Sequence, residues 1–263
     1  MDKNLENDIV RGEVRSRYAK IADTGSCCSG VTFGDGKKSC SSEVSVKLGY
    51  DANDLATVPD GEYMGLGCGN PHNIALLKTG ETVLDLGSGG GLDCFLASKQ
   101  VGDSGKVIGV DMTAEMISKA RKNATKGDYQ NTEFRLGEIE YLPVADNSVD
   151  VILSNCVITL SPDKPQVYSE TFRVIRSGGR IAISDVVAIK PIPSKLKDDF
   201  EAFSGCVSGA IERNKIVEIL KSIGFVDIEV NIKEESKAFI NQWSPKSGVE
   251  AYVRSAEIKA FRP

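Results

Sequence analysis

Residues 82–93 read TVLDLGSGGGLD, and this stretch decides the fold. An apolar run reaches Asp85 and Leu86, glycines follow at 87, 89, 90 and 91, and an apolar-periodic segment, LDCFLASKQ, starts at Leu92. That order predicts a strand, a tight turn and a helix. Glycines in such a turn adopt backbone conformations closed to other residues and let backbone N–H groups approach a ligand closely. Open α/β sheets bind ligands at the carboxyl ends of their strands, so the turn is a candidate site.

Working outward, the strand-like runs TVLDLG, KVIGVD, TEFRLGE, VDVILSN and GRIAISDVV alternate with the helix-like runs LDCFLASKQ, TAEMISKARKNATKG and KPQVYSETFRVI. The alternation predicts βαβ units and a mostly parallel sheet. The strands are apolar on both faces, as strands covered on both sides should be. Thr113 is the expected N-cap of the second helix, with Glu115 in its first turn. Gly224 fits the C-terminal stop of ERNKIVEILKSIGF, and VDIEVNI and EAYVRSAEIKAF read as two terminal strands. Upstream, Leu5, Ile9, Val10, Val14, Tyr18 and Ile21 predict an amphipathic helix over residues 5–22. Residues 24–42 read as a mobile loop, NIALLK as a short helix stopped by Gly80, and SKLKDDFEAFSGCV as a polar helix. The expected fold class is α/β and Rossmann-like, with a mostly parallel seven-stranded sheet and helices on both faces. Residues 1–70 form an N-terminal helix and Cys-containing loop, 71–190 the ligand-binding core, and 191–263 acceptor-side helices and the strands that complete the sheet.

Composition narrows the chemistry. The chain has 263 residues, a net charge of −5, seven cysteines and one histidine, His72. With no basic stripe, neither nucleic acid nor an anionic membrane is the expected partner. No apolar run approaches the length of a membrane span. The charged N-terminus lacks the apolar core of a secretory signal, so a cytoplasmic location is expected. An odd number of cysteines in such a chain points to reduced, ligating or reactive thiols rather than a disulfide framework. A single histidine leaves almost no material for a His-rich zinc centre or a Ser-His-Asp triad.

The glycine turn discriminates between nucleotide ligands. A dinucleotide fingerprint would require glycine where Leu92 stands, which disfavours hydride transfer. Asp85, Gly87, Gly89 and Gly91 instead give D-x-G-x-G-x-G, the pattern of S-adenosylmethionine methyltransferases. Their site holds a cationic sulfonium amino acid, and a carboxylate beside the loop suits that charge. Asp111 ends the next strand, where an acid bonds ribose hydroxyls. FRLGEIEYLPVADNSVDVILSN resembles the methyltransferase stretch whose acid and its neighbour flank the adenine, here Glu138 and Ile139. RVIRSGGRIAISD resembles the turn into the fifth strand. The cofactor residues expected are Asp85, Gly87, Ser88, Gly89, Gly91, Asp111, Met112, Glu138, Ile139 and Asn155. A ligand-free glycine-rich turn is the plain alternative.

Thiols lie at the same sheet edge. Asn155 and Cys156 end the fourth strand, Cys206 follows the fifth on a segment able to cap that edge, and Cys68 sits in a Gly-rich loop before the first. Thiolates select soft, thiophilic ions, although a lone cysteine is also an ordinary small buried hydrophobe. Cys94, inside the first helix's apolar pattern, is read that way. Cys40 could pair with Cys27 or Cys28 or serve nothing, and the Cys27, Cys28, Cys40 spacing lacks a normal zinc knuckle.

Together GLGCGNP, LDLGSGGGLDCFLA, VIGVDMTAEMI, LGEIEYLPVADNSVDVILSNCVITLSPDK and GCVSGAI resemble the microbial arsenite S-adenosylmethionine methyltransferases, over about residues 14–224. The resemblance implies methyl transfer from S-adenosylmethionine to trivalent arsenic bound by Cys68, Cys156 and Cys206, with Cys27 or Cys28 as the N-terminal participant. It further implies a small arsenic–thiol conjugate as substrate, an external thiol reductant of the thioredoxin or glutathione type, and no metal cofactor; a monomer is the default. His72 departs from the pattern, standing where an apolar or small residue is expected. The short C-terminal segment points to an acceptor-side domain that is either reduced or differently built. Two other readings stay open: a methyltransferase of a small organic acceptor such as a quinone, sterol or amine, and a non-catalytic thiol sensor or carrier.

Overall fold

In a computed structural model of the chain, the residues described are 3–24, 45–46, 48–56, 58, 66–194, 206–243 and 248–263. Helix α1 (Lys3–Thr24) and the short α2 (Ala52–Ala56) and α3 (His72–Ala75) precede the core. The core alternates β1 (Thr82–Leu86), α4 (Leu92–Val101), β2 (Lys106–Asp111), α5 (Ala114–Lys126), β3 (Thr132–Leu136) and β4 (Val149–Asn155). A 3-10 turn (Ile158–Leu160), α6 (Lys164–Val174) and β5 (Ile175–Ala188) follow, then α7 (Arg213–Ile223), β6 (Val226–Lys233), α8 (Lys237–Trp243) and β7 (Val253–Phe261).

The seven strands form one sheet in the order β3-β2-β1-β4-β5-β7-β6. The first five pair in parallel, while β7 runs antiparallel between β5 and β6. Chain order reverses between β1 and β4, and open sheets of this kind bind ligands at that switch point.

Side chains alternate across a strand, so neighbouring residues of β1 serve opposite layers. Leu84 and Leu86 join Ile108, Val110 and Ile152 under α6 and α7. Val83 joins Val107, Val151 and Phe95 under α4. Both faces are covered, which explains why these strands are apolar throughout.

Helix α1 and the Thr113 N-cap stand where the sequence puts them, with local differences. Leu5 and Ile9 are 53% and 49% exposed, whereas Val14 and Ile21 are buried. Helix α1 leans on α5, and only its later turns bury an apolar face. Helix α3 ends at Leu76, in the left-handed region at φ 48°, rather than at Gly80. The carbonyls of Ala75 and Leu76 accept from the Arg180 guanidinium on β5 and are withdrawn from a continuing helix. Thr113 occupies the N-cap of α5 with no side-chain bond to the helix's own N–H groups; its N–H donates to Asp111 Oδ1 at 2.8 Å. The expected loop at 24–42 begins with a helical Thr24, and its remainder lies outside the described residues, as does most of the expected polar helix after Pro193. No helix among the described residues is long and apolar enough to cross a membrane.

Candidate active site

The turn after β1 is pinned to its neighbour: the N–H groups of Gly87 and Ser88 donate to Val110 O at 2.7 and 3.0 Å. Gly87, Gly89 and Gly91 have φ of 68°, 51° and 103°, which favours glycine. A Cβ at Gly87 would lie 2.5 Å from the Val157 side chain. Asp111 accepts the Gly89 N–H at 3.0 Å as well as that of Thr113, so its carboxylate braces the loop from β2. Burial pushes the Asp111 carboxyl up despite these bonds.

Above the turn lies a cleft of about 1700 Å³, its open mouth included. Of the residues expected to hold a cofactor, Gly87, Ser88, Gly89, Asp111, Met112, Ile139 and Asn155 line it. Asp85 and Gly91 lie beneath. Asp85 is buried and accepts from Cys94 Sγ at 3.3 Å, which gives Cys94 a polar contact inside the core. Glu138 is elsewhere: Arg15 donates to it at 2.9 Å and Arg11 lies 3.3 Å away. Glu140, two residues on, lines the cleft and accepts from Ser161 Oγ. Helix α1, which those arginines tie down, roofs the cleft with Arg17 and Tyr18.

The residues present fit S-adenosylmethionine. Glycine backbone forms one wall, Asp93 and Asp111 supply negative charge, and Met112 and Ile139 offer apolar surface. Ser88 Oγ is buried with no partner among the described residues, a polar atom that a ligand would satisfy.

The far end of the cleft is built from sulfur. Cys156 and Cys206 both line it. Both have left-handed backbone, φ 61° and 68°, rare for a residue other than glycine. The Cys156 N–H is fixed to Ser184 O at 2.8 Å, and Cys206 Sγ donates to Cys156 O at 3.2 Å. Cys68 comes from the loop before α3. Its N–H donates to Asn155 Oδ1 at 3.0 Å, and its carbonyl accepts from Ser255 Oγ at 2.6 Å. The ligand atoms of Cys68, Cys156 and Asp185 lie within 4.8 Å of one another, all buried.

The neighbouring thiols Cys206 and Cys68, then burial, push Cys156 well up; burial pushes Cys68 up. These two cysteines therefore rest protonated, and a thiophilic atom must displace their protons. Asp185 accepts the N–H groups of Val186 and Thr159 at 2.7 and 3.0 Å. Burial raises its carboxyl to about 6, and Lys164 beside it is lowered to about 8, also chiefly by burial. Asp185 was missed from sequence; its signal was an acid inside the apolar strand IAISDVV. Asp93, Tyr50, Tyr18 and Glu140 carried no comparable signal. Cys27, Cys28 and Cys40 lie outside the described residues.

A methyltransferase-domain family matches residues 77–224. An arsenite methyltransferase of Halobacterium salinarum is 51% identical over 100% of this chain and 69% of its own length. That of Aquipseudomonas alcaligenes is 42% identical over 63% of this chain, and that of Mus musculus 37% identical over 86%. The chain spans only 49% and 60% of those two relatives. Among solved structures, an arsenic(III) S-adenosylmethionine methyltransferase from Chlamydomonas reinhardtii superposes with a TM-score of 0.61 at 31% identity, covering 83% of this chain and 73% of that one. A Haemonchus contortus phosphoethanolamine N-methyltransferase in complex with S-adenosylmethionine, at 21% identity and a TM-score of 0.62, covers 75% of this chain and 54% of its own and shares the fold.

Proposed function

The chain belongs to the arsenite methyltransferase family of S-adenosylmethionine-dependent methyltransferases, and from that premise we propose that Cys68, Cys156 and Cys206 hold trivalent arsenic at the closed end of the cleft. The observation that carries this reading is the packing of these three buried thiols in one cluster, with Cys156 and Cys206 lining the cleft beside a glycine turn suited to the methyl donor.

Arsenic arrives as a thiol conjugate. At each cysteine an As–S bond to the protein forms, the bond to the carrier breaks, and the cysteine proton leaves on the carrier thiol. Three sulfurs leave arsenic its lone pair. S-adenosylmethionine, when bound, would supply an electrophilic methyl group to that lone pair, its S–CH3 bond breaking to leave S-adenosylhomocysteine. No general base is needed, because the reacting arsenic carries no proton, which suits a chain with one histidine. The protein's part is proximity and orientation, worth about 7–11 kcal/mol in well-aligned systems. Gly87, Ser88, Gly89, Asp111, Met112 and Ile139 would hold the donor, and Asp111 its ribose. Methylation oxidises arsenic by two electrons. A thiol of Cys27 or Cys28 returns them by forming a disulfide with a ligand cysteine, and an external thiol reductant of the thioredoxin or glutathione type resets it.

The test is to incubate reduced protein with methyl-labelled S-adenosylmethionine, arsenite and a thiol, then separate the arsenic species. Label is expected in arsenic, dependent on arsenite and lost in Cys156→Ser. Confirmed donor binding without transfer, or transfer undiminished in Cys156→Ser, would refute the assignment.

A further inference from the structure

His72 has no part in the chemistry above, yet its side chain is only 6% exposed, and Nε2 lies 3.1 Å from Asp93 Oδ1. Its Nδ1 meets Gln100 Nε2 at 3.3 Å. Asp93 Oδ1 also accepts from the Tyr50 hydroxyl at 2.7 Å. The Tyr50 oxygen accepts from Asn155 Nδ2 at 2.8 Å, and the same Nδ2 donates to Gly69 O at 2.8 Å. Asn155 Oδ1 accepts the Cys68 N–H. An unbroken chain of bonds therefore runs from a carboxylate lining the cleft to the backbone on both sides of Cys68.

The loop is shaped to this chain. Gly67 has φ 147°, and a Cβ there would fall 3.0 Å from Asn155 Nδ2; a Cβ on Gly69 would fall 3.0 Å from Ser184 Oγ. The Cys68 thiol thus follows Asn155, and Asn155 follows Tyr50. Burial, then the Asp93 charge, hold the Tyr50 hydroxyl well above its ordinary range, so it remains a donor. Among the described residues, the Tyr50 hydroxyl donates to Asp93 Oδ1 and His72 Nε2 approaches the same oxygen, which leaves Oδ2 for a cation. Burial, then the Asp93 charge, push the buried Asp85 carboxyl well up, and a cation beside Asp93 would relieve that cost. The cation the cleft is suited to hold is the ammonium of the donor's amino-acid end.

We propose that Tyr50 and Asn155 are positioning residues that tie Cys68 to the seat of this ammonium at Asp93, so that donor binding and arsenic capture strengthen each other. The proposal rests on the reading of Cys68 as an arsenic ligand. Linkage requires the effect to be reciprocal and equal in both directions.

The test uses the full reduced chain, arsenite, and S-adenosylhomocysteine, which carries the same ammonium but cannot react. Calorimetry measures each ligand's affinity with and without the other. In the unaltered protein each is expected to tighten the other by the same factor, about five- to 150-fold for typical coupling. In Tyr50→Phe, which keeps the ring, and in Asn155→Asp, which removes both Nδ2 bonds, the factor is expected to fall to within about twofold of unity. A uniform loss of affinity would leave this ratio unmoved, so a merely structural role does not mimic the result. No coupling in the unaltered protein, or full coupling in both variants, would overturn the proposal while the arsenic site stands. Failure of arsenite to bind at all would instead overturn the reading of Cys68 itself.

Discussion

The two ends of the cleft are made in opposite ways. The donor end is local in sequence: residues 87–93 and 111–113 follow the ends of β1 and β2, and the glycine backbone is pinned by its own N–H bonds to Val110 O and the Asp111 carboxylate. The thiol end draws Cys68, Cys156 and Cys206 from separate connections, and its working groups are side chains on a backbone forced into the left-handed region at two of them. One end is intolerant of an added Cβ; the other is intolerant of a changed side-chain atom. The strain at Cys156 and Cys206, about 1–3 kcal/mol each for such conformations, falls where sulfur atoms must meet.

Substitutions can break this contrast. The largest effect is expected for Cys156→Ser. Replacing a soft ligand by a hard one should lower arsenic methylation roughly a thousandfold, about 4 kcal/mol in barrier, while donor affinity by calorimetry stays within about twofold. Next is Gly87→Ala, which adds a methyl 2.5 Å from Val157 at positive φ. A strain of about 1–3 kcal/mol should weaken the donor roughly tenfold to a hundredfold and spare arsenite binding.

A third effect sharpens the comparison through pH. Asp185 titrates at about 6 in the fold, against about 3.9 for an unperturbed aspartate. The folded state holds this proton more tightly than the unfolded one. Its contribution is therefore complete below about pH 4 and is lost as pH rises through about 6, amounting to roughly 3 kcal/mol. Urea unfolding between those values should show the decline, and Asp185→Asn should flatten it. The smallest effect is expected for Cys94→Ala, which tests a buried thiol away from the cleft. Loss of its bond to Asp85 should cost about 1 kcal/mol in unfolding free energy and leave methylation within about twofold.

What was legible in the sequence follows the same contrast. The βαβ alternation and the glycine turn could be read because they are contiguous and locally determined. Met112 stands next to the strand-ending Asp111, while Ile139 came from the resemblance of its stretch to other methyltransferases. That Glu138 pairs with Arg11 and Arg15 of α1 while Glu140 lines the cleft could not be read from sequence, because those arginines lie more than a hundred positions upstream. The exposed first turns of α1 were hidden for a similar reason: periodicity shows an apolar stripe but not how much of it meets a partner. Cys68, Cys156 and Cys206 came from family resemblance, since no spacing brings them together without the sheet. The departure at His72 was visible; its contact with Asp93, and the bonds through Tyr50 and Asn155, belong to tertiary structure alone.

The most direct measurement is arsenic K-edge X-ray absorption on the reduced protein loaded with arsenite. The thiol assignment predicts a shell of three sulfur neighbours in the unaltered chain and the loss of one in Cys156→Ser. An oxygen-dominated shell, or a sulfur shell unchanged by that substitution, would contradict it.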